Sequence, residues 1–174
     1  SGDVVKSVIP HSRPSGIEGF VFNTRRGMFA DWRVREALTE AFNFELVNQT
    51  LNGGIPPRIT SYFGNSPLGM TPGAPAEGRV AELLEPFKAE LLPGALEGYT
   101  LPVADGEANR KNLRAATALL EEAGKADFEF DLISIDQDYH QASCDAIAAQ
   151  ARDAGIAMKR TVIPGATFWN DWTK

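Results

Sequence analysis

Apolar side chains recur at helical spacing early in the chain, immediately after an acidic residue. Val34, Ala37, Leu38 and Ala41 follow the i, i+3, i+4, i+7 spacing of a helix face that packs on a core, and Phe42 extends this stripe. Asp31 precedes the stripe and has the side chain that commonly accepts a hydrogen bond at a helix N-terminus. The pattern therefore predicts a capped amphipathic helix after Asp31.

Similar signals predict further helices. Asn43 is suited to cap a short helix over 44–51, and Asn52-Gly53-Gly54 would end it because glycine adopts the left-handed conformation at little cost. Pro86 should kink or split a helix over 77–92. Three more helices are predicted over 108–123, over 137–154 and after Pro164-Gly165.

Alternation of apolar and polar residues predicts strands over 127–136 and 156–163. With the helix between them they form a strand–helix–strand unit, which is expected to be parallel and right-handed. Two more strands are predicted at 3–9 and at Gly19–Phe22, as possible neighbours in one sheet. These elements together predict an α/β domain.

A long segment, 55–75, is rich in Pro, Gly and Ser and has no regular pattern. Irregular loops of this length are commonly functional or disordered. This one contains Tyr62 and Phe63, which a purely disordered linker would tend to lack. The two aromatic residues are therefore candidates for contact with a ligand.

Composition narrows the function classes. The chain has 174 residues, 43% of them hydrophobic, and a net charge of −6, which argues against a nucleic-acid partner. It contains no apolar run long enough for a transmembrane helix. The single cysteine, Cys144, excludes an internal disulfide. The first residues are neither an initiator Met nor a signal peptide, and the last form an uncapped helix-like run, so a longer parent protein is expected.

Two sets of residues could carry chemistry. Asp136, Asp138 and His140 could bind a metal, although they lack the glycine and the closing glutamate of a calcium loop, and an Asp that caps the next helix is the simpler interpretation. Cys144 lies four residues after His140 and could form a nucleophile–base pair, although cysteines within helices usually pack in a core. A metal-dependent or cysteine hydrolase built on these residues is the alternative hypothesis.

Arginines and tryptophans supply the remaining candidates. Arg25, Arg26, Arg33 and Arg35 form a basic cluster that is usually a solvated face, or that pairs with a buried or a ligand carboxylate. Trp169 and Trp172 are three residues apart on the final helix, after the strand–helix–strand unit, where open α/β sheets place ligands. A place in the core is the equally weighted alternative for this pair.

Several motifs, in order, resemble one family. Gly19–Phe44 contains a strand ending in Phe-Asn-Thr, a basic turn, and Asp-x-Arg-Val-Arg-x-Ala-Leu. The later motifs are the Pro-Pro and Ser-Tyr-Phe-Gly-Asn-Ser segment at 56–66, Leu-Glu-Pro-Phe at 84–87, the Asn-Leu-Arg helix at 109–124, Ala-x-Asp-Ala-Gly-Ile at 151–156 and Thr-Phe-Trp-Asn-Asp-Trp-Thr-Lys at 167–174. Their order and spacing are similar to those of the family 5 extracellular solute-binding proteins, which are the peptide-binding, and sometimes nickel- or sugar-binding, subunits of bacterial ABC importers.

The resemblance implies a type II periplasmic-binding-protein-like lobe, with a mixed sheet flanked by helices and a C-terminal βαβ unit. Residues 1–174 would be a single domain, most of the second lobe of a two-lobed protein. The protein would capture peptides, with oligopeptides as the leading class, in the periplasm of a Gram-negative bacterium and deliver them to membrane permease subunits. No catalysis, cofactor or metal is implied. The candidate ligand-contacting residues are Tyr62, Phe63, Trp169 and Trp172.

The chain departs from the family pattern at three points. Asn43 stands where the family commonly has Asp, Gly124-Lys125 runs almost directly to the Phe128 strand without the family's extra hairpin, and the acidic residue that pairs with a peptide amino terminus in relatives would lie beyond Lys174. Residues 1–174 are therefore expected to fold without binding a ligand tightly. Dipeptides, oligopeptides, peptide antibiotics, opines and nickel chelates all remain compatible with the scaffold.

Overall fold

A computed structural model describes residues 2–11, 13–14, 16–25 and 27–171. The chain divides into two compact units, which we call the loop unit (Ser1–Phe20 and Ile59–Thr100) and the helix–sheet unit (Val21–Arg58 and Leu101–Lys174). The loop unit is thus made of an N-terminal segment and a segment inserted into the helix–sheet unit.

The helix–sheet unit begins with three helices, α1 (Gly27–Ala30), α2 (Trp32–Ala41) and α3 (Phe44–Asn52). The predicted caps are confirmed: the Asp31 side chain accepts from the Arg33 N–H at 2.9 Å, and Asn43 Oδ1 accepts from the Leu46 N–H at 2.9 Å. Gly53 ends α3 in the left-handed conformation, with φ of +62°.

The rest of this unit contains α5 (Gly106–Glu122), β1 (Glu129–Ile135), α6 (Asp138–Asp153), β2 (Ala157–Ile163) and α7 (Gly165–Asp171). β1 and β2 pair in parallel, from Glu129 opposite Ala157 to Ile135 opposite Ile163, so the predicted βαβ unit and the α/β class are confirmed. Within the described ranges the sheet has these two strands, and the predicted mixed pairing is not found there.

Most of the core lies between α2, α5 and the sheet. Val34 and Ala37 of α2 and Ala116 of α5 have no exposed surface, and Leu120 is 1% exposed. The Phe29 ring packs edge-on against Phe128 and Phe130 at centroid distances of 5.9 and 5.2 Å. Glu107 lies in the first turn of α5 and favours the helix dipole, but Glu121 and Glu122 end the helix and oppose it, so burial of this apolar face is the main source of its stability.

The predicted strands at 3–9 and Gly19–Phe22 are wrong, since the described residues of both segments have no regular structure. A strand requires a neighbour to satisfy its backbone N–H and C=O groups, and no described segment pairs with either one. Val4, Val5 and Val8 are each more than 80% exposed, so apolar β-propensity alone did not produce a strand.

The loop unit contains α4 (Gly78–Leu84) and a 3₁₀ helix (Glu85–Glu90). The helix predicted over 77–92 is therefore split at Pro86, as expected from the missing N–H of proline. The backbone of 73–76 meets that of 96–99, where Ala76 N–H donates to Leu96 O at 2.8 Å. Gly98 is required at this contact because a Cβ would lie 2.5 Å from the Gly73 carbonyl carbon.

Candidate functional site

The Tyr62–Phe63 loop presents two aromatic side chains at the surface of the loop unit. Tyr62 is 79% exposed and Phe63 is 56% exposed. The hydroxyl of Ser61 accepts hydrogen bonds from the backbone N–H of Phe63 at 3.2 Å and of Met70 at 3.1 Å. A single side chain therefore joins the two ends of the 61–70 loop while both aromatic rings stay accessible.

A second serine organises the interior of the same loop. Ser66 Oγ donates to Phe63 O at 2.7 Å and accepts from Leu68 N–H at 3.2 Å, and Gly69 N–H donates to Ser66 O at 2.9 Å. A Cβ on Gly69 would lie 2.9 Å from Phe63 O, so the backbone approach needs glycine there. The loop is ordered by side-chain-to-backbone hydrogen bonds rather than by an apolar core.

Asn65 connects this loop to the N-terminal segment. It is a non-glycine residue in the left-handed region, with φ of +57°, which asparagine tolerates better than most residues. Its Nδ2 donates to His11 O at 3.3 Å and to Arg13 O. An open groove of about 570 Å³ runs along 60–71 beside Asn65 and Met70. The loop thus combines fixed polar groups, a groove and exposed rings.

Trp169 belongs to the helix–sheet unit and lies on α7, which begins at Gly165, two residues after β2 ends. It is 61% exposed, so a place in the core is excluded for this residue, and its ring meets the Phe168 ring edge-on at 5.3 Å. It therefore lies on the helix that follows the carboxyl end of a parallel strand, which is the position predicted for it from the sequence. Trp172 lies outside the described residues.

The arginine cluster has structural partners. Arg33 forms an ion pair with Asp31 at 2.6 Å and donates to Glu122 O at 2.8 Å, so it connects α2 to the end of α5. The hydrogen bond that the Asp31 carboxylate accepts from the Arg33 side chain lowers the pKa of Asp31. Arg35 donates to Phe29 O and Ala30 O at 2.6 and 3.0 Å, which satisfies the last carbonyls of α1. Both side chains therefore stabilise helix ends, and Arg26 lies outside the described residues.

The residues of the hydrolase hypothesis do not assemble into a site. Asp136 Oδ1 accepts from Gln141 Nε2 at 2.8 Å, and the N-cap of α6 is Gln137, without a side-chain cap bond, so the predicted cap by Asp136 or Asp138 is wrong. The His140 ring meets Tyr139 at 5.7 Å. Over the described ranges, no three His, Cys, Asp or Glu side chains are placed to hold a metal ion.

Cys144 is a core residue. It is 3% exposed, and burial raises the pKa of its thiol, an effect that the neighbouring Ser134 hydroxyl and Arg160 guanidinium only partly offset. The thiolate is the reactive form of cysteine, so burial of this kind makes Cys144 a poor nucleophile.

Two polar networks were not predicted from the sequence. Arg160 of β2 pairs with Asp145 and donates to Gln141 Oε1 at 2.9 Å, which fixes α6 on the sheet. Asn48, which begins an Asn-Gln-Thr sequon, is buried, and its Nδ2 donates to Pro56 O at 2.8 Å, whereas its Oδ1 is buried without a hydrogen-bond partner among the described residues. The sequence signal for Asn48 was its place beside the apolar Val47 on the inner face of α3.

None of the helices in the described ranges has both the length and the apolar character needed to cross a bilayer.

Comparison with known proteins defines the class. The family model described as "bacterial extracellular solute-binding proteins, family 5 Middle" matches residues 3–174. The chain therefore belongs to this family of solute-binding proteins.

Among relatives, the peptidoglycan-binding protein YepA of Agrobacterium fabrum is 46% identical over 127 residues, which are 71% of this chain and 20% of YepA. The probable peptide-binding protein YejA of the same organism is 42% identical over 127 residues, again 71% of this chain and 20% of that protein. A putative binding protein of Brucella melitensis is 40% identical over 138 residues, 78% of this chain and 22% of that protein. The chain thus spans about a fifth of the length of the curated relatives that it matches.

Solved structures confirm the fold. The periplasmic binding protein DppA of Helicobacter pylori, in complex with the peptide STSA, superposes with a TM-score of 0.53 at 18% sequence identity. The match covers 84% of this chain and 22% of the DppA chain. The oligopeptide-binding protein AppA of Bacillus subtilis, in complex with a nonapeptide, superposes with a TM-score of 0.51 at 18% sequence identity. The match covers 86% of this chain and 26% of the AppA chain. The chain has the fold of part of a periplasmic binding protein.

Proposed function

We propose that this chain forms part of the second lobe of a two-lobed solute-binding protein that captures peptides for an ABC importer. The observation that carries the proposal is the family match, which extends over residues 3–174 rather than over one motif. The relatives are about five times longer than the matched segment, which agrees with a partner lobe elsewhere in the protein.

The exposed aromatic residues support a role in binding. Tyr62, Phe63 and Trp169 each expose more than half of their surface, although such side chains are usually buried. Aromatic rings offer large contact areas with few rotamers, so they suit a cleft that must accept varied side chains. Peptide recognition then depends on hydrogen bonds to the peptide backbone, with roomy apolar pockets for the side chains.

The names of the relatives narrow the ligand class. YepA is named for peptidoglycan and YejA for peptides, and peptidoglycan itself carries short peptide stems. A peptide backbone is the chemistry that these ligands share. We therefore propose peptides, including the stem peptides of peptidoglycan, as the ligands of the full-length protein.

Location and partners follow from the same proposal. The full-length protein would act in the periplasm of a Gram-negative bacterium and dock on the membrane permease subunits of its importer. It would need no cofactor, because capture and release require only differential binding to open and closed forms.

Native mass spectrometry of the full-length protein, as purified, tests the proposal. We expect an added mass that fragments into amino acids, including D-amino acids and diaminopimelate where the ligand is a stem peptide. A ligand that contains no amino acid would overturn the proposed class.

A further inference from the structure

Four side-chain contacts hold the two chain segments between which 59–100 is inserted. We call these segments, 56–58 and 102–104, the neck. The contacts come from side chains on α3, on α5 and in the neck itself: Asn48 Nδ2 to Pro56 O at 2.8 Å, Arg58 Nη1 to Pro102 O at 2.5 Å, Asn112 Nδ2 to Val103 O at 3.0 Å, and Ala104 N–H to Glu45 Oε2 at 3.0 Å.

Arg58 differs from the other three because it joins the two neck segments to each other. Its hydrogen bond to Pro102 O spans 44 positions in the sequence. Its guanidinium also lies over the Phe42 and Phe44 rings, at 5.7 and 5.5 Å from the ring centroids. These rings flank the junction of α2 and α3, so one cation contacts both this junction and the second neck segment.

The surroundings make this contact costly to lose. Arg58 is partly buried, and Asn48 and Asn112, which hold the neighbouring carbonyls, are each 8% exposed. Loss of a charged hydrogen bond is enough to change a local opening equilibrium about tenfold or more. A cation over two rings adds to this stabilisation. Opening of the neck should therefore depend strongly on Arg58.

We propose that Arg58 is a positioning residue for ligand binding. It closes the base of the inserted segment, four residues before Tyr62, and thereby restricts the conformations of the loop that carries Tyr62 and Phe63. This proposal rests on the proposed function, since it assigns a role to the same aromatic pair. It adds a residue that makes no contact with ligand and acts through the backbone that it holds.

Two substitutions in the full-length protein separate this role from a general effect on stability. Arg58→Met keeps an unbranched side chain of similar length but removes the guanidinium, whereas Arg58→Lys keeps the positive charge without the planar guanidinium. Arg79→Met is the matched control, because Arg79 is 76% exposed on α4 and forms its ion pair within the described residues with Glu82, three positions later on the same helix. Backbone hydrogen exchange and affinity for a tetrapeptide are measured for each variant.

We expect exchange of the amides in 59–75 to accelerate about tenfold in Arg58→Met, with a smaller change in Arg58→Lys and none in Arg79→Met. Peptide affinity should fall in the same order, while exchange in α2 and α5 stays at the wild-type rate. Unchanged exchange in 59–75 would overturn the proposal, as would an equal acceleration in α2 and α5. If the wild type bound no peptide, the proposed function would fail, and the exchange rates would still test whether Arg58 closes the neck.

Discussion

Asn43 and Gln150 exchange two hydrogen bonds although 107 positions separate them. The Asn43 N–H donates to Gln150 Oε1 at 3.0 Å, and Gln150 Nε2 donates to Asn43 O at 3.2 Å. The side-chain amide of α6 thus pairs with the backbone between α2 and α3 as a neighbouring strand would. The same Asn43 caps α3 through its own side chain, so one residue joins three helices.

Loss of this pair should destabilise the fold. Gln150→Ala removes two partly buried hydrogen bonds and leaves the Asn43 backbone groups without these partners, so the free energy of unfolding should fall by about 1–3 kcal/mol. Urea denaturation measures the change. Gln49→Ala, at an exposed position on α3, should change it by less than about 0.5 kcal/mol. Equal effects at the two positions would contradict the assigned role of the pair.

Glu40 should make stability depend on pH in the opposite sense to Asp31. Burial raises the pKa of Glu40 above its ordinary value of 4.5, and the nearby Glu36 raises it further, while Lys111 partly opposes the shift. Because the pKa of Glu40 is raised in the folded state, its contribution to stability is fully present below pH 4.5 and is lost as the pH rises through the folded-state pKa. The pKa of Asp31 is lowered in the folded state, so its contribution to stability is present above pH 3.8 and is lost as the pH falls through the folded-state pKa.

Glu40→Gln should therefore stabilise the protein at neutral pH and lose that advantage in acid. The gain should stay below about 1 kcal/mol because solvent screens the partly exposed carboxylate. Urea denaturation at pH 7 and at pH 4 measures the difference between variant and wild type. The control, Glu121→Gln, removes an exposed charge from α5 and leaves the Glu40 surroundings intact. A gain of the same size at both pH values would be inconsistent with a raised pKa of Glu40.

The thiol of Cys144 should resist chemical labelling in the folded state. It is 3% exposed and its raised pKa disfavours the thiolate, so an aromatic disulfide reagent should react only as the protein unfolds. The rate of labelling with and without urea checks this expectation. Rapid labelling of the native protein would restore the cysteine as a candidate nucleophile.

How far the sequence predicts this fold depends on the range of the interaction. The caps at Asp31 and Asn43 and the split at Pro86 arise from contacts within a few residues, and all three predictions are confirmed. The strands at 3–9 and Gly19–Phe22 fail because pairing needs a partner that local β-propensity does not supply. The pairing of Asn43 with Gln150, over 107 positions, has no local signature at all.

The candidate site likewise has features that the local sequence predicts and features that depend on the tertiary fold. The composition of 55–75 predicted an irregular loop, and the structure shows one, but nothing local revealed that Ser61 and Ser66 would order it. The exposure of Tyr62, Phe63 and Trp169 likewise depends on the tertiary fold. Their contact with ligand stays a prediction.

Removal of the two loop aromatics should weaken binding without unfolding the protein. Both side chains are more than half exposed, so Tyr62→Ala and Phe63→Ala should change stability by less than about 0.5 kcal/mol. Each aromatic contact contributes roughly 1–2 kcal/mol or more at a binding surface, so affinity for peptide should fall about tenfold. Calorimetric titration of the full-length protein measures both variants. Leu68→Ala, in the same loop and at a position that is 74% exposed, is the control.

Should the aromatic variants bind as tightly as Leu68→Ala and the wild type, Tyr62 and Phe63 would not be ligand contacts. That result would leave the role of the full-length protein open to a site formed elsewhere.

Titration of the full-length protein with a defined set of ligands is the direct test of peptide capture. The set contains an L-tetrapeptide, a peptidoglycan stem peptide, the same amino acids unlinked, a monosaccharide and nickel chloride. We expect saturable binding of at least one of the two peptides, micromolar or tighter, and no comparable binding of the unlinked amino acids. Binding of the sugar or of nickel, with neither peptide bound, would contradict it.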